Sequence, residues 1–198
     1  MDPGEIEFLA EKESVDIIPN FTHGVMHLIQ GDVGPFKPGL PVSVPLWLGV
    51  NLRQRQRCRL VSPAWLNTQR LEEVRDLEKE DPLFTEMPAN NIFVVANIIL
   101  DTAKEDIEKA DEVRMVLRDI WDIRQSKLRR SVDGFIQGDF LQAKLNYLQL
   151  IELNSVRPLL PHAFDQLTRL NTATAAARRV SQTISNTNRS FMSNSLNY

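Results

Sequence analysis

The chain has a single cysteine, Cys58, among 198 residues. No intrachain disulfide can form, and no cysteine-rich zinc site can be assembled. So low a count suits a reducing compartment. Histidine is nearly as scarce, with three residues, and histidine is the commonest metal ligand and catalytic base. The sequence contains no G-x-S-x-G elbow, no phosphate-cradling G-x-x-x-x-G-K-[ST] loop and no G-x-G-x-x-G turn. The usual hydrolase, NTPase and dinucleotide signatures are therefore missing. No apolar run reaches the roughly 18–20 residues of a spanning helix, so no membrane partner is expected. The opening MDPGEIEFLAEKE is acidic and lacks the basic start and apolar core of a secretory signal. These absences favour a non-enzymatic protein of the cytosol or nucleus, with no cofactor and no bound metal.

What is present is an ordinary globular composition. With 42% hydrophobic and 25% charged residues, the chain can bury one good core or two small ones. A net charge of −3 argues against a protein whose main task is to coat nucleic acid, since such domains are strongly basic. The most distinctive stretch is GPFKPGLPVSVPLWLGVNLRQRQRC, Gly34 to Cys58. Prolines and glycines fill its first half, an apolar run around Trp47 follows, and arginine then takes every second position. It holds no nucleophile, no paired carboxylates and no phosphate loop, and points to assembly rather than chemistry.

Along the chain, Asp2-Pro3 reads as a cap and first helical position, opening a short helix through Phe8 and Leu9. Val15 to Ile18, Val25 to Ile29 and Val42 to Val44 are short strand candidates separated by turn residues. Gly34 to Pro41 is irregular, because proline lacks the N–H of a ladder. Pro45 opens a helix over Leu46 to Leu52, and Cys58 to Val61 is a last strand. These elements make a small mixed α/β unit over residues 1–62, too small to be stable without support.

Beyond Pro63 the pattern is helical. Asn67 or Thr68 caps a charged helix over Gln69 to Glu80 with a thin apolar side of Leu71, Val74 and Leu77; Asp81-Pro82 ends it. Ile92 to Leu100 is almost wholly apolar. Its β-branched residues suit a buried strand, but its helical flanks favour a buried helix. Asp111 to Arg130 carries Val113, Val116, Leu117, Ile120, Trp121 and Leu128 at amphipathic spacing, with Gly134 and Gly138 loosening the chain after it. Leu141 to Leu153 and His162 to Leu170 complete a helical domain over 63–172. Residues 173–198, rich in Ser, Thr and Asn, read as a disordered tail. The fold class expected is α+β, mainly α-helical.

Few residues offer chemistry. His23 and His27 could share one face as metal ligands, but no third ligand lies near, and two surface histidines are the favoured reading. Cys58 could be a nucleophile activated by Arg57 and Arg59, or a small buried apolar residue, which is favoured. The clusters Arg53 to Arg59 and Arg124 to Arg130 are an alternative nucleic-acid-binding module; a solvated or salt-bridged rim is the usual fate of such runs, and no aromatic residue alternates with them. Trp47 and Trp121 are core residues or interface anchors.

The stretch from Gly34 to Cys58, the opening EIEFLAEKESVDIIPNF and the segment KADEVRMVLRDIWDIRQSKLR resemble the second "partner of Sld-five" subunits of the eukaryotic GINS complex. Trp121, Asp122, Arg124, Lys127 and Leu128 are the most telling positions. The resemblance covers residues 5 to 170. It departs from the family pattern at Gly49, where alanine is expected, and in the very apolar Ile92 to Leu100.

The resemblance implies a β-rich domain preceding a helical one, nuclear localisation and no catalytic activity. It also implies membership of a heterotetramer with three sister GINS subunits. That complex joins the minichromosome-maintenance hexamer and the cell-division-cycle-forty-five protein in the replicative helicase, so contact with DNA is indirect. The residues expected at interfaces are Trp47, Leu48, Leu52, Trp121, Arg124 and Leu128. For Arg124, beside the apolar stripe, the expected partner is an acidic group or carbonyls at a helix junction or subunit contact.

Overall fold

A computed structural model describes residues 2–137 and 146–158, together with the single positions 161, 165, 168, 169 and 172. Helix α1 (Pro3–Ala10) starts at Asp2, with Glu5 reaching back to the Asp2 N–H at 3.0 Å, a capping box. Strand β1 (Ser14–Pro19) follows, alternating exposed and buried along its length. Its buried residues Val15 and Ile17 face the core. A ribbon of β2 (Met26–Leu28) and β3 (Gly31–Val33) comes next, then β4 (Val42–Pro45), α2 (Leu46–Gln54) and β5 (Cys58–Leu60). β1 lies at the centre of an antiparallel sheet ordered β4-β1-β5. Residues 34–41 form no strand; only Phe36 makes a bridge, to His23. The strand β3 was not expected, because three residues with one apolar side chain give almost no periodic signal.

Gly49 sits where α2 presses on the sheet. A Cβ there would lie 3.2 Å from a Val15 methyl and 3.4 Å from Ile17 and Leu60. The glycine lowers helix propensity, but it is what lets the helix approach so closely.

Helix α3 (Thr68–Glu80) is capped by Asn67, whose side-chain oxygen accepts the Gln69 N–H at 3.1 Å. The apolar run forms α4 (Ile92–Thr102), a helix with seven buried residues in eleven. Burial on most sides explains its apolar sequence; Asn97 and Asp101, one turn apart, are exposed. A 3-10 turn, Lys104–Asp106, leads to α5 (Ala110–Gln137), 28 residues long. Gly134 does not loosen it: the helix continues through that position. Helix α6 (Leu150–Val156) is shorter than the expected element, since residues 146–149 are not helical. Most of His162 to Leu170 and all of the expected tail lie outside the described residues, as do Gly138 and Leu141. The architecture is thus small antiparallel sheets followed by packed helices, as expected.

The strands and the helices share one apolar core. It runs from Ile6, Ile17 and Leu46 to Leu71, Ile99 and Ile120. Helix α1 packs on α4 and α6, and α2 on α4. The small β-rich part therefore gains the support that its size demands.

Candidate interaction site

Two groups of side chains organise the surface: a buried charge network that sets the helices, and the aromatic and basic residues that the network leaves outside.

Arg124 lies on the inner face of α5 with a fully buried side chain. Its Nε donates to Glu152 Oε1 at 2.6 Å and its Nη2 to Glu152 Oε2 at 2.9 Å. Nη1 donates to Glu78 Oε2 at 3.0 Å and to the Thr85 carbonyl at 3.1 Å, and Nη2 reaches the Tyr147 carbonyl at 2.7 Å. Lys127, one turn on, donates to Glu78 Oε1 at 2.7 Å and to the Leu83 carbonyl at 2.8 Å. The Thr85 N–H and hydroxyl also donate to Glu78. Two cations thus meet two carboxylates, and carbonyls take the remaining protons of Arg124. Burial works against the guanidinium charge, but Glu152 and Glu78 outweigh it and hold Arg124 above its ordinary range. Such a network is costly to break, since one lost partner strands a buried charge.

The network joins α3, the 83–85 segment, α5 and α6. An acidic partner for Arg124 was expected, but not that it would be Glu78 and Glu152. In α3 the buried side is Leu71, Val74 and Glu78, whereas Leu77 is 56% exposed. The spacing 71, 74, 78 is the usual apolar stripe, and a glutamate on that stripe was the available signal.

A second set of contacts fastens the strands to the helices. Asp106 accepts the Leu60 N–H at 3.1 Å, closing one position on the free edge of β5. The same carboxylate lies 2.8 Å from Arg53 Nε, and Glu105 is 3.3 Å from Arg53 Nη2. Asn91 donates to Glu13 at 3.3 Å. Burial raises the Glu13 carboxyl despite that bond.

The structure divides the six expected interface residues. Leu48, Arg124 and Leu128 are buried within the chain. Arg124 finds the acidic group and carbonyls it was expected to find, at a helix junction inside this chain. Leu52 is half-buried. Trp47 is 38% exposed, on the first turn of α2, rather than a core residue. Trp121 is half-buried and meets Phe93 edge-on, ring centroids 5.0 Å apart. The two rings line a groove of about 380 Å³ with Asn97, Arg118 and Ile151. An aromatic floor with an arginine on the rim is the composition of a binding hot spot.

The other candidates resolve simply. His23 and His27 are exposed; His27 Nδ1 pairs with Asp32 at 2.7 Å. Among the described residues no cluster of His, Cys, Asp and Glu could hold a metal. Cys58 is buried, and burial pushes its thiol up to about 11 against the pull of Arg53. That is the opposite of nucleophile activation. The arginine clusters are not two equivalent basic surfaces. Arg53 faces Asp106, while Arg124 and Lys127 are consumed by the internal network. Arg129 and Arg130 stay exposed on α5, and Arg55, Arg57 and Arg59 stay exposed around β5.

Comparison with known proteins agrees in both halves of the chain. The family model described as the PSF2 N-terminal domain matches residues 2–61, and the GINS complex protein helical bundle domain matches residues 65–170. The chain is 48% identical over 182 residues to the probable DNA replication complex GINS protein PSF2 of Drosophila melanogaster, covering 91% of this chain and 90% of that one. It is 47% identical over 172 residues to the DNA replication complex GINS protein PSF2 of Homo sapiens, covering 87% and 93%. With the PSF2 protein of Schizosaccharomyces pombe it shares 32% over 168 residues, 85% and 90% of the two chains.

Proposed function

Since the chain belongs to the PSF2 family of DNA replication complex GINS proteins, we propose that it is a non-catalytic scaffold within the replicative helicase. In this reading it joins three sister GINS subunits in a nuclear heterotetramer. That assembly tethers the minichromosome-maintenance hexamer to the cell-division-cycle-forty-five protein during initiation and elongation. The two parts of the chain, residues 1–62 and 63–172, act as the units that partners meet.

One observation carries the proposal: among the described residues the buried polar clusters are used internally, to hold helices and strands together, while the Trp121 groove lies at the surface. Charges that fix a shape and aromatics that face outward are what a scaffold needs. Trp47, half-buried Leu52 and Trp121 are the anchors; Leu48, Arg124 and Leu128 support them from within. Obligate interfaces of this kind bury about 2,000 Å² or more.

The test is co-expression with the three sister subunits, followed by size-exclusion chromatography. Equimolar co-elution, lost in Trp121→Ala while the variant chain keeps its far-ultraviolet circular dichroism, supports the scaffold. A wild-type chain that elutes alone as a stable monomer overturns it.

A further inference from the structure

A cleft of about 560 Å³ opens between the proline-rich segment 34–41 and the turn joining α2 to β5. Ile18 and Pro19 line it, with Pro38 and Gly39 on one side and Gln56 and Arg59 on the other. Main-chain bonds fix both sides. Gly39 N–H donates to the Pro19 carbonyl at 3.1 Å, and Asn20 N–H to the Arg57 carbonyl at 2.9 Å. The Asn20 side chain donates to the Gln56 carbonyl at 2.9 Å. Gln56 itself has φ +57°, a left-handed conformation that reverses the chain at the end of α2.

This turn sets the direction of the arginines. In β5, Cys58 and Leu60 are buried and Arg59 is exposed. Arg57, in the bend just before β5, is exposed as well. Ile18 pairs with Arg59 across the strands and is 36% exposed. Of the six lysines and arginines in the first 62 residues (Lys12, Lys37, Arg53, Arg55, Arg57 and Arg59), four lie within residues 53–59. Arg53 is neutralised by Glu105 and Asp106. Arg55, Arg57 and Arg59 have no ion-pair partner among the described residues. Five acidic residues lie within the first 13 positions; nearer the cleft, Asp16 is exposed on the same face of β1 as Ile18.

We propose that this cleft is a docking site for an extended acidic segment of a partner protein. Its carboxylates meet Arg55, Arg57 and Arg59, and an apolar side chain covers Ile18. Charge complementarity is the argument: Arg59 lines the apolar floor, and Arg55 and Arg57, exposed and without an ion-pair partner among the described residues, precede it in the turn. Strand addition is disfavoured, because Asp106 already takes the Leu60 N–H on the free edge. Nucleic acid is disfavoured because no aromatic ring lines the cleft as a stacking platform.

The probe is a fluorescein-labelled peptide of alternating glutamate and leucine, titrated by fluorescence anisotropy into the full chain assembled with its complex partners. A labelled single-stranded oligothymidylate is the second probe. We expect saturable peptide binding that weakens about tenfold or more in Arg57→Glu/Arg59→Glu. Ile18→Ser is expected to weaken it by a factor that salt does not change. Peptide binding that is absent at about 1 mM, or unchanged in both variants, overturns the proposal. So does oligothymidylate binding that the arginine variant alone abolishes, which assigns the cleft to nucleic acid. The substituted residues are exposed, and unchanged elution of the complex verifies that the variants assemble.

Discussion

Arg124 and Glu152 meet as a two-pronged pair, with Nε 2.6 Å from Oε1 and Nη2 2.9 Å from Oε2, both side chains fully buried. The pair fastens α6 to α5, and Glu78 extends it to α3. A planar guanidinium can serve two carboxylates and two carbonyls at once, which an ammonium cannot. One arginine thus joins three helices.

Arg124→Ala should therefore destabilise the chain by about 3–5 kcal/mol, because it strands Glu78 and Glu152 in the interior. Arg124→Lys should behave more like alanine than like the parent, since the fork is lost while the charge is kept. Urea unfolding of the assembled complex measures both. A midpoint unchanged in Arg124→Ala would mean that the network contributes no stability.

Asp106 serves both Arg53 and the Leu60 amide. Asp106→Ala should cost about 1–3 kcal/mol and speed hydrogen exchange at Leu60 well beyond that at Ile17. Amide exchange read by mass spectrometry of peptides spanning β5 and β1 tests this. Equal protection of the two strands in parent and variant would show that the apolar core alone joins strands to helices.

Gly49→Val should destabilise by about 1–3 kcal/mol through overpacking, because a side chain there drives into Val15, Ile17 and Leu60. Thermal unfolding is the readout. An unchanged melting temperature would show that α2 can lift from the sheet freely.

Cys58 should resist Ellman's reagent near pH 8 in the folded chain and react at once when unfolded, being buried and mostly protonated there. Its folded value of about 11 exceeds the ordinary 9.0, so the folded state binds the proton more tightly. That contribution to stability is complete below about pH 9 and is lost as pH rises toward 11. Cys58→Ala should flatten the pH dependence in this window; an identical slope would remove the thiol as its cause.

Much of this was legible in the sequence because local chemistry settled it. Asp2-Pro3, Asn67 and Asp81-Pro82 mark helix ends through capping and the missing proline N–H, which need no tertiary information. Arg124 stood out by its place beside an apolar stripe. What could not be read is what distant segments supply. Arg53 and Asp106 are 53 positions apart, and no spacing rule links them. Glu78 hid in LEEVRDLEKE, whose charges resemble a solvated face until Leu71 and Val74 are placed on the buried side. Gly134 looked like a helix end, but packing along α5 outweighs about 1 kcal/mol of lost propensity. The division of the six candidate interface residues depended on burial, which a single sequence does not fix.

The scaffold reading is tested most directly by affinity purification of the tagged full-length chain from replicating cells, with quantitative mass spectrometry of what accompanies it. The account predicts three sister GINS subunits in equal amounts, with the minichromosome-maintenance hexamer and the cell-division-cycle-forty-five protein enriched during DNA synthesis. Recovery of the chain alone, or with the sister subunits but never with the helicase components, would contradict it.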